Sequence, residues 1–90
     1  MRGLHIVPRI SAFDGMIILM FYSDHLPPHF HVRYGEHMAL VHISPAQIGE
    51  GSLPRRIERQ VLAWAKQREV ELQANWDRAQ ANLPLEWIEP

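Results

Sequence analysis

The sequence predicts an α+β domain: a small antiparallel sheet of about four strands in two hairpins, followed by one long or two shorter C-terminal helices. Three observations carry this. Residues up to about Ile43 are rich in β-branched, aromatic and histidine side chains, whereas those from about Leu53 are rich in Ala, Leu, Glu, Gln and Arg. Asp14-Gly15 and Gly35-Glu36 each sit between apolar runs, as hairpin turns do. Apolar residues in the second part recur at helical spacing. Ninety residues, 47% of them hydrophobic, make one domain with a modest core. It is read over 1–90, with an N-terminal extension at 1–7, a β-rich half at 8–43 and a helical half at 53–83.

Each element has its own justification. Asp14-Gly15 joins Ile10-Ser11-Ala12-Phe13 to the run Met16 to Tyr22, which is apolar at consecutive positions and so expected to be covered on both faces. Asp24 to Pro28 reads as a loop, because Leu26 and Pro27 each precede a proline and favour extended backbone. His29 to Tyr34 and His37 to Ile43 form the next hairpin, around a type II′ turn at Gly35-Glu36. That turn sets the register: Tyr34 opposes His37, Val32 opposes Ala39, His31 opposes Leu40, and His29 opposes His42. Alternation then puts Phe30, Val32, Tyr34, Ala39, Val41 and Ile43 on a core face. The other face carries His29, His31, Arg33, Met38, Leu40 and His42, with the Cβ atoms of His29 and His42 about 5 Å apart. Ser44 to Ser52, with Pro45, Gly49 and Gly51, reads as a loop. Ser52 is the expected N-cap and Pro54 lies in the first turn of the helix. Ile57, Val61, Trp64, Ala65 and Arg68, then Leu72, Trp76, Ala79 and Leu83, follow a helical stripe. A single helix of that length would be unusual in so small a domain, so a break is expected near Gln67 to Glu69. Pro84 ends the helical part, and Trp87 and Ile88 are expected to fasten the tail.

Composition narrows the function. There is no cysteine, which removes disulfides and thiolate metal sites and fits a reducing cytoplasm. The longest apolar run has seven residues, far from the about 20 that span a bilayer. The N-terminus lacks the apolar segment of a secretion signal. No membrane role and a cytoplasmic location are expected. Net charge is -1 with neutral histidines, so the whole molecule is not a polycation built for nucleic acid.

The chemistry concentrates in one stretch. His25, His29, His31 and His42 fall within eighteen residues, with His37 among them. The prolines Pro27 and Pro28 stiffen the backbone between the first histidine and the pair. Asp24, His25, His29, His31 and His42 have the ligand chemistry of a divalent metal such as zinc, although the reading requires no cofactor. Without metal, a histidine pair among His25, His29 and His31 would transfer protons, Arg33 would stabilise phosphate charge, and Tyr34 would assist, as in a small ribonuclease. Arg55, Arg56 and Arg59 stand in the first turns of the helix, where the macrodipole disfavours cations by about 0.3–1 kcal/mol each. A nucleic acid or a protein partner would explain them. So would a solvated face with Glu58 as counter-charge. Trp64 and Trp76 are expected in the core.

Four segments carry a resemblance to a known family. They are Ile10-Ser11-x-Phe13-x-Gly15-Met16-Ile17-Ile18; Asp24-His25-x-Pro27-Pro28-His29-Phe30-His31-Val32-x-Tyr34-Gly35-Glu36; Gly51-x-Leu53-Pro54; and Trp64 with Asn75-Trp76. On these the chain resembles the domain-of-unknown-function family 4160. The resemblance departs at His42, where an acidic residue is common. It implies the toxin half of a bacterial type II toxin–antitoxin module, paired with an antitoxin of the domain-of-unknown-function family 2442. The expected function is thus a toxin acting through a histidine-rich surface, with RNA as the candidate target. The alternatives are a non-catalytic regulatory module that binds nucleic acid, RNA or DNA, or protein, and a histidine metal-binding protein; a homo-oligomer is compatible with each.

Overall fold

The turns dictate the sheet. Residues 8–90 are described by the structure, a computed structural model. The expected extension at 1–7 lies outside the described residues. Strands β1 (Arg9–Phe13) and β2 (Met16–Leu19) pair antiparallel, with Phe13 opposite Met16. Asp14 and Gly15 between them have φ of +51° and +81°, the two left-handed positions of a type I′ turn. Strands β3 (His29–Tyr34) and β4 (His37–His42) follow. Gly35 has φ +56° and Glu36 is not left-handed, which fits the type II′ turn. The expected register holds at every pair from Tyr34–His37 to His29–His42.

The sheet has five strands rather than four. Gln47–Gly51, expected as loop, is β5 and pairs antiparallel with β4 across a register shift at Leu40/Val41. The order is β1-β2-β3-β4-β5, a meander in which each strand pairs with its sequence neighbour.

Helices α1 (Arg55–Gln67) and α2 (Glu69–Gln80) are separated by the expected break at Arg68. Ser52 does not cap α1. The cap residue is Pro54, whose carbonyl accepts the Glu58 N–H at 2.9 Å. Nor does Pro84 end α2. The chain leaves the helix at Asn82, φ +62°, and the N–H of Leu83 returns to the Arg78 carbonyl at 2.8 Å. That is a Schellman stop with Asn in the left-handed position.

Both helices pack on one sheet face. Phe30, Val32, Ala39, Val41 and Ile43 meet Ile57, Val61, Trp64, Leu72 and Trp76 in a single core. The tail closes it: Ile88 is buried, its N–H donates to Ile10, and its carbonyl accepts the Ser11 hydroxyl at 2.7 Å. Trp87, in contrast, is exposed. No helix among the described residues is long and apolar enough to cross a membrane.

Candidate functional site

Helix α2 and the loop before β3 build the site together. The Ser23 N–H reaches the Ala79 carbonyl, and Gln80 Nε2 donates to the Asp24 carbonyl at 3.1 Å. The end of α2 therefore holds the backbone of the loop. Leu26–Pro27 is cis, as is Ser44–Pro45. His29 opens β3 with its ring 5.1 Å from that of Trp76 on α2, and only 2% of the residue is exposed.

Both nitrogens of His29 are engaged. Nδ1–H donates to the Pro27 carbonyl at 2.7 Å, and Nε2 faces Asp24 Oδ2 at 2.8 Å. A carbonyl and a carboxylate can only accept, so a proton also lies on the Nε2···Oδ2 line. The other Asp24 oxygen, Oδ1, accepts the His25 N–H at 2.8 Å. Burial pushes the Asp24 carboxyl up. The His25 backbone N–H, the His29 hydrogen bond and the charges of His29 and His25 outweigh it, and the group sits below its ordinary value of 3.8.

His31 lies next on the same strand, two residues on. Its ring stands 5.6 Å from that of His29 and 4.7 Å, edge-on, from Phe21. It is half-buried, and its Nδ1 has no hydrogen-bond partner among the described residues. Burial lowers its pKa below the ordinary 6.5. The charge of His29 adds to this, while Asp24 and Glu50 oppose it. The ring is therefore neutral at neutral pH, a form able to accept a proton or a metal ion.

Asp24, His29 and His31 form the cluster: one ligand atom from each lies within 4.8 Å of the others. The remaining site residues distribute around it. His25 is 74% exposed at its side chain, its ring 5.2 Å from that of His29. Arg33 is exposed on the His31 face of β3, between Ile17 and Met38. His42 pairs with His29 in register, yet its ring lies over Gly49, where an added Cβ would come within 2.5 Å of Nε2. It lines a shallow cleft with Pro27, Pro28, Ser44, Pro45 and Gln47. Tyr34 alternates onto the core face at the far end of β3 and packs over Gly15, so it is not brought to the cluster. Arg55, Arg56 and Arg59 are exposed on α1, with Arg56 bonded to Gln60 at 3.5 Å. Phe21 and Trp76, whose rings wall the site, are not legible as such in the sequence, because their contacts depend on the packing of the loop and of α2.

The profile of the family described as Domain of unknown function (DUF4160) matches residues 15–77, more than half the chain and inclusive of the whole cluster. The chain belongs to the DUF4160 family. No curated protein and no solved structure matches it. In this DUF4160 chain, the segment Asp24–Tyr34 that carries the resemblance also builds the cluster.

Proposed function

We propose that this chain is a toxin that acts on RNA through His25, His31 and Arg33, with Asp24 and His29 as the rigid base beneath them. The carrying observation is the half-buried imidazole of His31, which burial biases toward its neutral form, two residues from the exposed guanidinium of Arg33 on one face of one strand. Same-face neighbours on a strand stand about 6.6–7 Å apart, a span that one phosphodiester group can bridge. Arg33 would hold phosphate oxygens bidentately. His31 would take a proton from the attacking hydroxyl, and the exposed ring of His25 would return one to the leaving group. His29 is excluded from direct proton transfer while both its nitrogens are occupied. Its part is to fix the loop.

The family resemblance supports the wider role, growth inhibition relieved by an antitoxin of the 2442 family. Arg55, Arg56 and Arg59 offer that partner, or further RNA phosphates, an exposed basic face. The test is induced expression in a bacterial host with and without the neighbouring open reading frame, joined to incubation of the purified protein with labelled RNA and DNA. Growth arrest and RNA cleavage lost in folded His31→Ala and Arg33→Ala proteins support the proposal. A salt-sensitive shift with intact RNA favours the non-catalytic binding module instead. Arrest that persists in both variants removes this face from the function.

A further inference from the structure

We propose that Asp24, His29 and His31 bind one divalent transition-metal ion, with zinc the ion their donors suit best. Nitrogen and carboxylate ligands at about 2.0–2.2 Å from zinc lie about 3–3.5 Å from one another. The Asp24–His29 pair is already at 2.8 Å, and all three ligand atoms lie within 4.8 Å. Closing the triad takes side-chain movements of about an ångström.

The hydrogen bonds of His29 supply a second argument. Nδ1 must carry a proton to serve the Pro27 carbonyl, so in the neutral ring Nε2 holds the lone pair. A metal-ligating histidine almost always has this outer contact, its second N–H given to a backbone carbonyl or carboxylate. That lone pair points at Asp24 Oδ2, itself a lone-pair oxygen. Two such atoms at 2.8 Å need a positive centre between them. A proton fills that place in the metal-free chain, and a divalent cation fills it with twice the charge. His31, half-buried on the same strand, brings a ring nitrogen to the third side, within 4.8 Å of the other two ligand atoms.

The donor set narrows the ion. Two imidazoles and one carboxylate, with no thiolate, form the kind of three-ligand site that leaves coordination positions open for water or substrate. Magnesium, which demands near-octahedral oxygen ligands, does not fit it. Metal binding does not rest on the RNA reading, since it is measured with no RNA present. If the ion binds, His31 acts as a ligand, and the proton acceptor becomes the ion's bound water.

The experiment titrates the full chain, made without a His-tag and stripped with chelator, with zinc chloride in a calorimeter. Magnesium chloride serves as control and thermal unfolding as a second readout. One zinc per chain, a raised unfolding temperature and no response to magnesium are expected. Asp24→Asn is the decisive variant. Its amide N–H can still donate to His29 Nε2, so the metal-free fold is kept while the anionic ligand is lost. Its zinc affinity should fall roughly tenfold or more, as should that of His31→Ala, whereas His25→Ala should leave it unchanged. Unaltered zinc binding by folded Asp24→Asn and His31→Ala overturns the site. Loss of binding in His25→Ala alone, or no saturable binding by the wild type, does the same.

Discussion

His25 and His29 stand four residues apart and meet opposite environments. His25 projects into solvent, whereas His29 is sealed between Asp24, the Pro27 carbonyl and Trp76. Substitution should separate them. His29→Ala strips the Asp24 carboxylate and the Pro27 carbonyl of a donor and leaves a cavity beside Trp76. A loss of about 2–4 kcal/mol in urea unfolding is expected. His25→Ala should stay within about 0.5 kcal/mol. Equal effects would mean that the buried ring does not order the loop. The contrast also marks what the sequence could tell. Alternation and the Gly35 turn placed His29, His31 and Arg33 on one face and set His29 opposite His42. They could not show that His29 is covered, because its cover comes from Trp76, on a helix remote in sequence. For the same reason His31→Ala, not His29→Ala, is the clean probe of function.

Among the elements, those defined by local chemistry were legible and those defined by their neighbours were not. Asp14-Gly15 and Gly35-Glu36 specify their turns from within, and both hairpins follow. Gln47–Gly51 has two glycines and little β propensity, so it reads as loop. It becomes a strand because β4 offers it an open edge. The helix stop shows the same division. Pro84 is the conspicuous breaker, yet the chain turns two residues earlier, at Asn82, where an Asn can take the left-handed conformation. Asn82→Ala should therefore cost about 1 kcal/mol in thermal or urea unfolding, and Asn82→Gly should cost nothing or stabilise slightly. An alanine variant as stable as the wild type would show that Pro84 does the stopping.

The tail ties the sheet and both helices into one cooperative molecule. Asn75, fully buried on α2, donates to the Glu86 carbonyl at 2.8 Å and accepts the Glu86 N–H at 2.9 Å. Trp64 on α1 donates to the Glu89 carbonyl at 2.9 Å. Asn75→Ala leaves both Glu86 backbone groups without their partner and should lower global stability by about 2–3 kcal/mol, read from denaturant midpoints at unchanged slope. Acid should act on the same global equilibrium from the candidate site. Asp24 and His31 both have pKa values lowered by the fold. The unfolded chain therefore takes up their protons more readily, and stability rises with pH wherever it does so. Their contributions are complete above the ordinary values, 6.5 for His31 and 3.8 for Asp24, and are lost as pH falls through the lower folded values. In chelator-containing buffer, the urea midpoint should decline first as pH drops below 6.5 and again below 3.8. His31→Ala should shrink the first decline and leave the second. A first decline of full size in that variant would assign the linkage to another histidine and leave His31 with no special burden of burial.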